Sequence, residues 1–497
     1  MNKIAPRTGL SKSLYLKGLQ CHRALWLQKF HPEMRDAVHE ATQARFTAGH
    51  EVGLIAQHLF PGGIEIPYAG LSIPEQIAQT KAALTTHKVI YEASFENDGL
   101  FVKVDILRKG RRGWEIYEVK AATSAKDVHH DDVALQYYVL CGAGLPVSKA
   151  FIVHLDSSYI RQGDIDVQGL FAMVDVTKGV KAVQGAVEGS LKAMRRMLKN
   201  SEEPQIDIGP HCSAPYECDF QGHCWAHIPE DSVFDLAGKG IDKFALYREG
   251  IVHLKDIPPD RLKGKQKLQV EATLARSTTV DKKAVQVFIK ELWYPLYFLD
   301  FETFQSAIPT FNGTRSYQQI PFQYSLHLLK RKGGKLWHRE YLAEPKLDPR
   351  NELLVQLLED IPVDACILAY HAPFEKKVLK ELAEAYPRKA KKIQRLIDNM
   401  RDLIVPFRKQ HVYHWKMQGS ASIKKVLPAL VPELSYDNLE ISEGGAAMEA
   451  WHRMCAAESQ EELEGIRKAL REYCELDTLA MVRIYERLRE MVRTLDV

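Results

Sequence analysis

Long apolar runs are missing from this chain. No stretch of about 18 or more apolar residues occurs, which excludes a membrane-spanning helix. The opening MNKIAPRTGLSKSLYLKG lacks the continuous apolar segment of a secretory leader, so a cytoplasmic location is expected. Charge of one sign is scarce as well. A net charge of +3 over 497 residues supplies no global attraction to nucleic acid or to an anionic surface. Internal repeats, low-complexity tracts and long charge runs are absent. Cysteines are few, at eight, and unevenly spread. A cytoplasmic chain does not normally build a disulfide framework, so clustered cysteines in it point to a metal or cofactor.

What is present suits a soluble globular protein of two or three domains. Residues 1–228 alternate helical and strand patterns and close on a cysteine cluster. Residues 229–290 read as short helices broken by Gly and Pro, a small helix-hairpin-like linker. From 291 to 497 strands return and long helical patterns follow. The expected fold class is α/β.

Cys141, Cys366, Cys455 and Cys474 stand singly in apolar surroundings and read as core residues. Cys212, Cys218 and Cys224 fall together in HCSAPYECDFQGHCW. Three thiolates need a fourth ligand to close a site, and His211, His223 and Cys21 are candidates. Zinc and iron–sulfur chemistry both accept such a set.

Two acidic constellations carry the chemistry. In PLYFLDFET, Asp300 and Glu302 stand two apart on a strand and share a face between apolar neighbours. Unpaired buried carboxylates neutralise, pair or bind a metal. ILAYHAPFEKK adds Glu375 at the start of a helix, and Asp402 follows in RDLIVPF. In REYCELDTLAMVRIYERL, the residues Leu470, Tyr473, Cys474, Asp477, Met481, Ile484 and Leu488 form one helical stripe, with Asp477 in its middle. Tyr473 lies one turn before Asp477, on the same face.

The second constellation is in LFVKVDILRKGRRGWEIYEVKAAT, which reads as a β-hairpin turning at KGRRG. Asp105 lies on its first strand, Glu118 and Lys120 on its second. Two carboxylates can hold Mg²⁺ or Mn²⁺ against a phosphodiester while the lysine assists the attacking water. A helical stretch carrying Gln136 follows.

Residues 11 to about 226 resemble the RecB-like PD-(D/E)XK nucleases that carry an iron–sulfur cluster, the group of the CRISPR-adaptation nuclease and AddB. The resemblance implies a restriction-endonuclease-like α/β fold and a 4Fe–4S cluster on Cys21, Cys212, Cys218 and Cys224. It also implies metal at Asp105 and Glu118, and a further ligand at Glu51 or His50, with Glu51 preferred. The chain departs from that family in two places. Five residues separate each pair of successive late cysteines, and Leu140 stands where the Tyr of the Gln-x-x-x-Tyr motif belongs.

Residues 293 to about 490 resemble the DEDDy exonucleases, of DnaQ and RNase D type. This implies an RNase H-like fold, two Mg²⁺ ions on Asp300, Glu302, Glu375 and Asp477, and a water-positioning Tyr473. Here Glu375 replaces the usual Asp. YQQIPFQYSLHL and GSASIKKVLPAL resemble an uncharacterised bacterial branch of that family, in which Gln319, Gln323, Ser420, Ser422 and Lys424 are candidate substrate contacts. The two likenesses together imply a metal-dependent nuclease acting on DNA ends in repair or defence. RNA is the alternative substrate, and a binding scaffold with one inactive module is the alternative class.

Overall fold

The computed structural model describes residues 9–37 and 40–493. The architecture is mixed α/β with several sheets. No helix among the described residues is long and apolar enough to cross a membrane. The chain divides into two compact units. The first takes the chain up to His227 together with Ser306–Gln318; the second takes Ile228–Gln305 and everything from Gln319.

In the first unit, helices α1 (Lys12–Gln20), α2 (His22–Phe30) and α3 (Glu40–Gln57) precede five long strands. These are β1 (Val89–Asn97), β2 (Leu100–Lys109), β3 (Trp114–Lys120), β4 (Val147–Leu155) and β5 (Phe171–Asp175), adjacent in that order. Two two-residue strands, Leu10–Ser11 and Ile64–Glu65, complete a seven-stranded sheet. The β2–β3 pair is the expected antiparallel hairpin, with Lys109 opposite Trp114. Its turn needs glycine at position 113, where φ is +146° and a Cβ would meet the Pro146 carbonyl oxygen at 2.5 Å. Helix α4 (Asp127–Gly142) connects β3 to the parallel β4. The sheet core is aliphatic: Val102, Val104, Ile116, Ala150 and Ile152 pack with Val133 and Leu140 of α4.

The segment Ser306–Gln318 belongs to this unit although it follows a strand of the other. Ala307 is buried with Tyr117, Leu155 and Phe171. The Arg161 N–H donates to Thr314 O at 3.0 Å, and the Tyr317 hydroxyl donates to Ala121 O at 2.7 Å.

The second unit has a five-stranded sheet in the order β8–β7–β6–β9–β10. Its strands are β6 (Leu296–Phe304), β7 (Ile320–Leu329), β8 (Leu336–Leu342), β9 (Cys366–Ala369) and β10 (Met400–Asp402). β6, β7 and β8 form an antiparallel meander, while β9 and β10 run parallel to β6. Helices α5 (Pro373–Ala385), α6 (Ile423–Leu430), α7 (Gly444–Ala456) and α8 (Gln460–Val492) complete the set used below. All seven residues of the expected α8 stripe are buried, Asp477 among them.

The stretch expected as a linker is helical, with helices at Lys243–Arg248, Gly264–Leu274 and Lys282–Lys290. It groups with the second unit rather than standing apart. Strand Thr278–Val280 pairs with Val412–His414, and that pairing joins it to the rest of the unit.

Candidate metal centres

The second unit gathers the first acidic set. Alternation along β6 turns Asp300 and Glu302 to one face and buries Phe301 on the other. Tyr473, Cys474 and Asp477 come from α8, and Glu375 from the first turn of α5. Ligand atoms of Asp300, Glu302 and Cys474 lie within 4.8 Å of one another. Asp300, Glu302, Tyr473 and Asp477 line a cavity of about 400 Å³ with Tyr370, Phe374 and Gly444. The Tyr436 hydroxyl donates to Asp477 Oδ1 at 2.6 Å, and Tyr473 hydrogen-bonds the same carboxylate.

The electrostatics are those of crowded, uncompensated acids. Burial, then Asp477, Glu302 and Glu375, push Asp300 well above the usual carboxylate range. Burial, then Asp477 and Glu375, do so for Glu302. Burial carries Glu375 to about 8, with Asp402 adding to the rise. It carries Asp477 to about 6, against the pull of its two tyrosine hydrogen bonds. Lys424, in the first turn of α6, lowers Glu302 and Asp477 without reversing either. Glu375 Oε2 is buried and has no hydrogen-bond partner among the described residues. A hard divalent cation suits the oxygen donors, their mutual repulsion and the orphaned carboxylate oxygen of this set, whereas the Cys474 thiol beside Asp300 is a softer donor.

The neighbouring candidates separate into two groups. Gln319 lines the cavity and accepts from Thr303 Oγ1 at 2.6 Å. Gln323 instead donates to Leu470 O, so it ties β7 to α8. Ser420 and Ser422 bond each other ahead of α6. Asp402 accepts the backbone N–H groups of His371 and Ile404 and fixes the turn after β9. Sequence reasoning missed Tyr436, which sits in a loop 41 residues from its partner and carries no motif. Cys474 is buried, as expected of a core residue, and its Sγ also lies 4.0 Å from Asp300 Oδ2.

In the first unit Asp105 and Glu118 line one cavity of about 340 Å³ with His50, Glu65, Glu92 and Lys103. Glu118 is fully engaged. Lys12 Nζ donates to its Oε1 at 2.7 Å, Lys120 Nζ to the same atom at 2.6 Å, and Gln136 Nε2 to Oε2 at 2.6 Å. Lys120 also pairs with Asp132, and Gln136 donates to Asp132 Oδ1 at 3.0 Å. Asp105 accepts the Val119 N–H at 2.7 Å. Burial raises Asp105 despite both lysines. For Glu118, burial and Asp105 push upward, but Lys12 and Lys120 prevail and hold it below its usual value.

Glu51, the expected ligand, is exposed and outside the cavity lining. Gly49, His50, Gly53, Leu54 and Gln57 are the residues of α3 that line it, at helical spacing, and one position beyond His50 along the helix Glu51 is rotated away. Lys12, Glu92 and Asp132 were not foreseen. The one available signal was that Asp132 and Gln136 stand four apart in DDVALQYY and so share a helix face.

Cys21, Cys212, Cys218 and Cys224 line one cavity with Arg23 and His211. All four thiols are free. Burial raises Cys21 and Cys218, and raises Cys224 to about 11. Such thiols ionise only beside cationic charge. Among the described residues no three of these sulfurs lie within 4.8 Å of one another. Four thiolates around zinc at about 2.3 Å stand closer, about 3.8 Å apart.

Residues 297–422 match a family described as a domain of unknown function (DUF2779). That stretch holds Asp300, Glu302 and Glu375, and stops short of Tyr473 and Asp477. The chain is similar to an uncharacterized protein of Mycoplasma genitalium, MG366, at 26% identity over 40% of this chain and 33% of the relative. It is also similar to an uncharacterized protein of Ureaplasma parvum, UU173, at 27% identity over 42% of this chain and 33% of the relative. The match thus spans about a third of each relative's length.

Proposed function

We propose that this chain is a divalent-metal-dependent nuclease that hydrolyses phosphodiester bonds of DNA. The observation that carries the reading is the buried set Asp300, Glu302, Glu375 and Asp477, each held by burial above the usual carboxylate range. Bound Mg²⁺ or Mn²⁺ would supply the positive charge that lets them ionise and would stabilise charge developing on phosphate. In this reading Tyr473, hydrogen-bonded to Asp477, orients the attacking water, and Lys424 offsets phosphate charge at the rim. The resemblance to DEDDy exonucleases suggests 3′→5′ polarity and an RNase H-like unit.

Asp105 and Glu118, with Lys120, form a second hydrolytic site of the PD-(D/E)XK kind, in a restriction-endonuclease-like unit. The four cysteines hold a 4Fe–4S cluster that joins the segment at Cys21 to the segment at 212–224. The protein works in the cytoplasm, on DNA ends.

The test is incubation of the full chain with end-labelled single- and double-stranded DNA and RNA in Mg²⁺, Mn²⁺ or EDTA, beside Asp300→Asn. Shortening from the 3′ end that needs metal and Asp300 is expected. Intact substrates under every metal condition would overturn the reading.

A further inference from the structure

The first acidic site already contains a cation supplied from outside its hairpin. Lys12 Nζ sits 2.7 Å from Glu118 Oε1 and 3.3 Å from Asp132 Oδ1. Both carboxylates are almost wholly buried, at 2% and 3% exposure. Lys12 is the first residue of α1, which Ser11 caps through its hydroxyl. The same helix ends on Cys21, whose N–H closes the last turn on Lys17 O.

That far end is bound to the cysteine segment three times. Lys17 Nζ meets Asp219 Oδ2 at 2.6 Å, and Gln20 Nε2 donates to His211 O at 2.8 Å and Tyr216 O at 2.7 Å. These partners flank Cys212 and Cys218 in the chain. A nine-residue helix is a rod about 13 Å long. A shift at the cysteine end therefore moves the ammonium group at the acidic end.

We propose that Lys12 is the internal counter-ion of the Asp105–Glu118 site, standing on Glu118 where a metal ion would bind, and that α1 couples this contact to the four-cysteine cavity. Asp105, Glu118 and Asp132 carry three negative charges, against which Lys12 and Lys120 set two. Entry of a divalent cation on Glu118 displaces the Lys12 ammonium. Anything that anchors α1 at Cys21 opposes that displacement, and by linkage metal at the acids alters binding at the cysteines. Lys12 is thus a positioning residue acting through Glu118. The inference rests on the reading of Asp105 and Glu118 as metal ligands.

The experiment is Mn²⁺ titration of the full chain by calorimetry, with Asp300→Asn and Asp477→Asn in the background to silence the other site. Iron and zinc contents are measured on each sample. Lys12→Gln should bind Mn²⁺ about tenfold more tightly, because a competing charge is gone. Lys12→Arg, which keeps the charge, should stay near the parent. Cys21→Ser should also tighten Mn²⁺ binding, and the double variant Lys12→Gln/Cys21→Ser should gain nothing beyond either single change. A structural role alone would weaken binding in every variant. Weaker or unchanged binding in Lys12→Gln overturns the proposal, as do additive effects of the two changes. A parent that binds no Mn²⁺ overturns both this proposal and the metal-ligand reading beneath it.

Discussion

The two acidic sites of this chain solve one electrostatic problem in opposite ways. In the first unit, Glu118 and Asp132 are buried with two lysines and a glutamine, and Glu118 is held below its usual pKa. In the second, Asp300, Glu302, Glu375 and Asp477 are buried against each other, and every one of them is raised. The first site carries its own counter-charge. The second lacks enough of one, and without a cation its acids hold their protons to higher pH than carboxylates usually do. Carboxylate count alone does not distinguish the two; the positions of the lysines do.

The largest effect that would break this comparison is on activity. Asp300→Asn or Asp477→Asn should lower turnover of the proposed nuclease on the order of 10³-fold, since placement of the proposed metal would be lost. The same change relieves repulsion, so melting in EDTA should be unchanged or higher. Lys120→Ala in the first unit should behave differently. It leaves Glu118 and Asp132 short of a cation and should cost about 2 kcal/mol of stability as well as activity. Denaturant titration beside turnover assays separates the cases, and equal stability costs at both sites would dissolve the contrast.

pH supplies the next test. Glu375 and Asp477 have raised folded-state values, about 8 and about 6. The folded state therefore holds protons that the unfolded state has released, and metal-free stability falls as pH rises from about 4.5 to 8. Glu118 contributes with the reverse sign: its depressed value adds stability above the unfolded carboxylate range, lost as pH falls. In EDTA, the melting temperature of the second unit should drop by roughly 5 °C between pH 5.5 and 8. Saturating Mg²⁺ should remove the drop, as should Glu375→Gln in large part. A flat profile in EDTA would show that the acids are compensated after all.

Smaller effects sharpen the picture. Tyr473→Phe should keep Mn²⁺ affinity and slow hydrolysis by about 10- to 100-fold, as expected for loss of a group that orients water. Tyr436→Phe should cost less, because Tyr473 still bonds Asp477. In the first unit, His50→Ala should weaken Mn²⁺ binding by about tenfold, and Glu51→Ala should matter far less.

Much of both sites was legible because regular elements repeat. Period two put Asp300 with Glu302, and period 3.6 put Tyr473 over Asp477 within a stripe that is buried throughout. The hairpin from Leu100 to Lys120 announced itself through alternation and a glycine-bearing turn. The short helices of 229–290 were legible too, but not the unit they join, since the Thr278–Val280 strand pairs more than 130 residues downstream. Nor did local pattern disclose that Ser306–Gln318 leaves the β6–β7 connection to pack with the first unit.

The amino-acid sequence by itself determined which residues are acidic, which faces of strands and helices they share, and that four cysteines bracket the first unit. Local periodicity and residue chemistry suffice for that, because neighbours along one element have their relative directions set by backbone geometry. Only the tertiary structure decided the charge balance. Lys12 reaches Glu118 across 106 residues and Tyr436 reaches Asp477 across 41. The rotation of α3 presents His50 rather than Glu51 to the first cavity. Such contacts depend on how whole elements pack, and no repeat within a single element encodes them.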